Sequence, residues 1–143
     1  MSDLSPLIRL HKWRIDEKQR AVSELEAYRD GITTERDARR AELDQEIGLA
    51  AAAEQLPHGY LAYVKGANAQ LAKLAKAIAD IDARIEKARD ALAAEYRELK
   101  KYETVATRRR ERAAEAQKKA EIAAYDEIGL IRHDRQRRNQ NVS

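Results

Sequence analysis

The sequence predicts an all-α chain, a long antiparallel two-helix coiled-coil hairpin whose second helix overhangs the first. Three observations carry that prediction. From Leu71 to Tyr102, steps of three and four residues pick out Leu71, Leu74, Ile78, Ile81, Ile85, Ala88, Leu92, Glu95, Leu99 and Tyr102. This is the a/d pattern of a coiled coil with one charged member. A second stripe of the same spacing runs from Leu4 to Glu46. Between the two lies one break, Leu56-Pro57-His58-Gly59, where proline disfavours helical angles before it and glycine eases a reversal. Composition agrees: of 143 residues 37% are charged, with only 5 Gly, 2 Pro, one Trp and no Phe. Interleaved charge with abundant alanine builds long helices rather than a compact core or a single-sign disordered chain.

Taken in order, the chain reads as a single domain, 1–143, with helix one over about 6–54. Ser5 is suited to the N-cap and Pro6 to the first helical position, where its missing N–H costs nothing. The stripe then reads Leu4, Ile8, His11, Ile15, Lys18, Val22, Leu25, Arg29, Ile32, Arg36, Arg39, Leu43 and Glu46. It is strongly apolar only as far as Leu25. Gly31 and Gly48 each weaken the helix locally by ~1 kcal/mol relative to alanine. The turn occupies about 55–59, and helix two runs over about 60–131 with Tyr60 and Val64 in its register.

Two helices joined this tightly lie antiparallel, and an arm of roughly 50 residues gives a rod ~75 Å long. A turn near residue 57 places Ile8 near Ala106, Ile15 near Leu99 and Val22 near Leu92, and brings Lys18 close to Glu95. It also sets Arg36 and Arg39 opposite Ile78 and Leu74. Arginine stems cover apolar surface without sealing it, so a partly open strip is expected at Leu71, Leu74, Ile78 and Ile81. The alternative is a register slipped by a few residues, which makes the strip ordinary core. Beyond Tyr102 the seam thins to Ala106, Arg109, Ala113, Ala116, Ala120 and Ala123. Here helix two overhangs, carrying a second apolar patch of Ile122, Tyr125, Ile128, Leu130 and Ile131. Residues 132–143 read as a charged, partly disordered tail.

Several chemistries are excluded. The chain lacks cysteine, hence any disulfide framework or thiolate site. It lacks the glycine-rich phosphate loops and the H-E-x-x-H helix. His11, His58 and His133 are spread along the rod and are expected to bind no metal. Adjacent carboxylates such as Asp16 and Glu17 point to different helix faces. No catalytic residue and no cofactor is expected, so the chain is read as a non-enzyme. The longest apolar run, Ile47–Ala53, cannot span a bilayer, and the N-terminus lacks the layout of a secretion signal; a soluble, cytoplasmic protein is expected.

Net charge is +3, but Arg108–Arg138 alone carries ten Lys/Arg against six Asp/Glu. The cluster Arg108, Arg109, Arg110 and Arg112 admits three readings: a solvated helix face, a nucleic-acid surface diluted by interleaved acids, or a basic stalk entering an acidic cavity of a partner.

More specific blocks run through the chain in order. They are Leu7-Ile8-Arg9-Leu10-His11-Lys12, Ile15-Asp16-Glu17-Lys18-Gln19-Arg20, Glu24-Leu25-Glu26, Glu98-Leu99-Lys100-Lys101-Tyr102-Glu103, the Arg108–Arg112 cluster, Asp126-Glu127-Ile128-Gly129 and Arg132-His133. Together with the length and the mid-chain turn they resemble the flagellar export family FliJ. That resemblance implies an antiparallel hairpin like the rotor stalk of rotary ATPases, working in the flagellar type III export apparatus that serves motility. The partners it implies are the hexameric flagellar export ATPase, the cytoplasmic part of the membrane export gate, and export chaperones. No nucleic acid is among them, and the chain would sit at the cytoplasmic face of the inner membrane. Arg108, Arg109, Arg110 and Arg112 are accordingly expected to face the ATPase, and Tyr60, Tyr63, Leu71, Leu74, Ile78 and Ile81 the gate. The alternatives are an injectisome type III secretion stalk protein, or a generic coiled-coil scaffold or basic nucleic-acid-binding hairpin.

Overall fold

A computed structural model describes residues 3–142 of the chain. They form two helices, α1 (Ser5–Ala52) and α2 (Tyr60–Val142), and among the described residues there is no strand. The fold is all-α, as expected. Two units divide it, one formed by Arg9–Glu98 and the other by residues 3–8 with 99–142.

Local chemistry sets the helix ends. The Ser5 N–H donates to Asp3 Oδ1 at 3.0 Å, and the Ile8 N–H donates to the Leu4 carbonyl at 2.9 Å. The first helical acceptor is therefore Leu4, one residue earlier than expected. Asp3, rather than Ser5, supplies the capping oxygen and places negative charge at the positive end of the helix dipole. Pro6 still lies in the first turn, where no N–H is needed. At the reversal the Tyr60 N–H donates to the Pro57 carbonyl at 3.2 Å, with Gly59 at φ +77°. This is a type II turn, which demands positive φ at its third residue. The Gly59 carbonyl then accepts from the Tyr63 N–H at 2.9 Å and opens α2.

In the Arg9–Glu98 unit, α1 and the first part of α2 form an antiparallel hairpin with one seam. His11, Ile15, Val22, Leu43 and Ala50 are buried on α1, and Ile78, Ile81, Ile85 and Glu95 on α2. Leu25, Arg29, Ile32, Arg36, Leu71, Leu74, Ala88 and Leu92 are half-buried between them. These are the positions the three-four spacing selects. The departures are Arg39 and Glu46, which are exposed, and Ala50, which is buried. Near the turn α1 thus seals its seam with a small residue one heptad after Leu43. No large side chain in the described residues is fully enclosed, because two helices leave every seam residue one edge toward water.

The expected open strip is largely closed. Ile78 and Ile81 are only 8% and 3% exposed, while Leu71 and Leu74 are half-buried. The arginines that were to leave the strip open are drawn along their own helix. Arg36 Nη2 pairs with Asp37 at 3.0 Å and Arg39 Nη2 with Glu35 at 3.1 Å. Heads held this way at the helix surface leave the stem of the half-buried Arg36 to cover apolar surface.

Polar contacts bridge the hairpin at several points. Arg29 pairs with Asp82, Arg89 Nη2 with Glu26 at 2.6 Å, and Gln19 Nε2 donates to the Tyr96 hydroxyl at 2.6 Å. These are exposed, and exposed pairs contribute about 0–1 kcal/mol each. The contact at Glu95 differs because its carboxylate is buried, 7% exposed. Lys18 Nζ donates to Oε2 at 2.8 Å, as the register predicted. His11 Nδ1 lies 2.5 Å from Oε1, a partner the register did not identify. Hydrogen bonds from Lys18 and then His11 hold the Glu95 carboxyl below the usual carboxylate range, against the opposing effect of burial.

In the other unit Leu4, Leu7 and Ile8 are half-buried with Tyr102 and Ala106, and Leu99 is buried. Every residue from Thr107 to Asn141 is exposed. The partly disordered tail expected over 132–143 is not observed: α2 continues to Val142, and Ser143 lies outside the described residues. No proline or glycine follows Gly129, and the arginine and glutamine of this stretch have good helix propensity.

Two predictions follow from these local constraints. A Cβ at Gly59 would meet open space, so G59A costs only the backbone strain, about 1–2 kcal/mol. G31A, in a helix with nothing near its Cβ position, gains about 0.5–1 kcal/mol; thermal unfolding of the two variants should shift in opposite directions. Glu95 has a lowered pKa in the folded chain, so its contribution is present above its unfolded pKa and lost as pH falls through the folded one. E95Q should lower stability at pH 7 by about 1.5–3 kcal/mol. Measured on acidification below about pH 4.5, the gap to the parent chain should close; a gap constant down to the acid limit would contradict the assignment.

Candidate functional site

Among the described residues no group of three or more His, Asp or Glu side chains could hold a metal ion. No helix there is long and apolar enough to cross a membrane. His11 is buried against Glu95, whereas His58 and His133 are exposed. What remains is surface available to other macromolecules, and two regions of it, one in each unit, carry the candidate contact residues.

The first region is the bare stretch of α2 from Thr107 to Asn141. Its helix forms largely from propensity and charge spacing, since every residue in it is exposed. Alanine at positions 113, 116, 120 and 123 keeps the helix thin while removing few methylenes from water. All four candidate arginines, Arg108, Arg109, Arg110 and Arg112, lie exposed at the start of this stretch. The nearby Arg110 Nη2 to Thr107 Oγ1 distance is 3.4 Å, too long to hold the guanidinium firmly. Arg108 and Arg112 are four residues apart and so share a face, while Arg110 points roughly opposite; positive charge surrounds the helix rather than marking one side.

Further along, Ile122, Tyr125, Ile128, Leu130 and Ile131 are 51%, 73%, 47%, 68% and 48% exposed. At 100° per residue these positions also point in different directions. The apolar patch read from the sequence is real, but it is a band about the helix and not a stripe.

The second region is the turn end of the hairpin. Leu49, Leu56 and Leu61 are exposed there, at 60%, 58% and 75%. Tyr60 is half-buried and Tyr63 exposed. Tyr63 lines an open groove of about 350 Å³ with Arg39, Glu42, Ala62, Gly66, Ala67 and Gln70. Partial desolvation, then the carboxylates of Glu42 and Glu46, push its phenol upward. The structure thus keeps Tyr60, Tyr63, Leu71 and Leu74 at least partly accessible and withdraws Ile78 and Ile81 into the seam.

Two features escaped the sequence reading. The exposed aliphatics at the turn lie off the a/d spacing, so a search by period passes over them. The spacing places His11 on the seam without assigning it a partner. Its seven-residue distance from Lys18, with one carboxylate on the facing seam, was the signal for a shared partner.

No curated protein and no solved structure matches the chain. The family model described as flagellar FliJ protein matches residues 2–138. With nearly the whole length covered, and with an antiparallel α-hairpin formed by Arg9–Glu98, the chain belongs to the flagellar FliJ family, a family of flagellar export.

Proposed function

We propose that this chain is a non-catalytic coiled-coil stalk of the flagellar type III export apparatus. It inserts the bare stretch of α2 into the hexameric export ATPase, promotes assembly and activity of that ring, and links it to the membrane export gate and to substrate chaperones. It works in the cytoplasm, at the cytoplasmic face of the inner membrane. The observation that carries this reading is the uninterrupted exposure of Thr107–Asn141. A helix with basic and apolar groups on all sides, spaced by alanine and interleaved acids, suits a partner that encloses it better than one that lies along one face. The basic excess of Arg108–Arg138 suits an acidic lining.

In this reading Arg108, Arg109, Arg110 and Arg112 face the ATPase. The gate contacts the turn end of the hairpin through Tyr60, Tyr63, Leu71 and Leu74. Ile78 and Ile81 belong to the same surface as the core beneath it, supporting Leu74 rather than touching the partner.

The test is co-purification with the export ATPase, scored for ring formation and hydrolysis rate. Reversing all four arginines to glutamate should weaken association about thirtyfold, at roughly 0.5 kcal/mol for each exposed pair lost. The helical circular dichroism should stay unchanged; full stimulation by the reversed chain sinks the ATPase assignment. For the gate, L74Q should reduce binding with little loss of thermal stability. A variant that binds normally while unfolding earlier marks Leu74 as core only.

A further inference from the structure

The seam of α2 is the most apolar surface in the chain, and its heptad spacing by itself does not say which helix it accepts. Any a/d stripe can pair with another in several registers that differ by whole heptads, and with a copy of itself. Between Tyr60 and Glu98 the one charged member of that seam is Glu95, buried with His11 Nδ1 at 2.5 Å and Lys18 Nζ at 2.8 Å. His11 and Lys18 are themselves the only ionisable members of the α1 seam before Arg29, and they stand one heptad apart.

We infer that His11, Glu95 and Lys18 select the partner of the α2 seam, admitting α1 of the same chain in one register and rejecting a second copy of α2. The argument is geometric. In the observed register the carboxylate sits between both donors. Sliding α2 by one heptad sets it between Leu4 and His11, or between Lys18 and Leu25, and each move exchanges a donor for an aliphatic side chain. A parallel pair of α2 seams in register buries Glu95 against Glu95. An antiparallel pair over Tyr60–Glu98 sets it against apolar residues or a tyrosine, and one overlapped about Tyr102 offers Arg109 alone in place of two donors. Leaving a buried carboxylate short of partners is far more costly than the pairing is favourable. Discrimination therefore comes from the wrong arrangements being penalised.

Nothing else nearby can do this. Arg29–Asp82 and Arg89–Glu26 are exposed, and exposed side chains re-pair with water or neighbours at little cost. The turn adds a constraint, but α1 can lengthen it by unwinding past Gly48.

The full chain has no cysteine, so spin labels can be placed at K12C and K76C, both exposed and within the hairpin unit. A slip of one heptad changes their separation by about 10 Å. The parent chain should give a single distance and a monomeric mass by light scattering. In an H11L/K18L/E95L background, the expected result is a helical, stable chain that shows a second distance displaced by about 10 Å, or a dimer. One unchanged distance and a monomer in that background overturns the inference. Should the leucine variant fail to fold, E95K and K18E/E95K decide. E95K alone should reduce the native distance population about fivefold or more, and the added K18E should restore it. Equal behaviour of the two overturns the inference as well.

Discussion

A pair of helices can bury only one stripe on each partner, and every group on that stripe must be apolar or have its charge answered from across the seam. Glu95 is where this constraint is most severe. Its carboxylate has lost most of its water and is held by Lys18 and His11 from the facing helix. The apolar residues on either side, Ile15 and Val22 on α1 and Ile85 on α2, supply most of the burial in that part of the hairpin. Because they repeat with the heptad, they are indifferent to a slip that the carboxylate does not tolerate. Affinity between the helices and the choice of register are thus carried by different side chains.

The same constraint explains how the chain divides its labour. Where the seam has a partner, charges are drawn into cross-helix pairs or along their own helix, as at Arg29–Asp82 and Arg39–Glu35. After Ala106 the partner is gone, and the sequence changes to one that holds a helix without a seam. Alanine and long charged residues keep the backbone helical through propensity, and the remaining large apolar groups are left exposed about the helix. A surface of this kind is poor at holding the protein together and well suited to being gripped by something else.

The turn shows a smaller version of the same economy. Gly59 is the one described residue with positive φ, and it both completes the reversal and supplies the first acceptor of α2. Exposed leucines cluster around it. The hairpin end therefore presents apolar surface over a rigid support, which is a usable arrangement for a docking partner.

Taken alone, the sequence determined the all-α class, the position of the reversal, nearly every seam position and the Lys18–Glu95 contact. Heptad spacing and a single Pro-Gly break are local signals, and an antiparallel pair converts them into structure almost without ambiguity. Only the tertiary structure decided the rest. Whether Ile78 and Ile81 were open depended on where the Arg36 and Arg39 heads went, which is a competition among nearby carboxylates that spacing does not rank. The second donor to Glu95 was decided by its position between His11 and Lys18, on opposite sides along the facing helix. The helix beyond Arg132 was decided by the absence of any competing structure for residues that already favour it. Of the candidate contact residues, the arginines at 108–112 were legible because they lie exposed on a helix beyond the reach of the seam. The strip at 71–81 was legible only in part because burial there belongs to two helices at once.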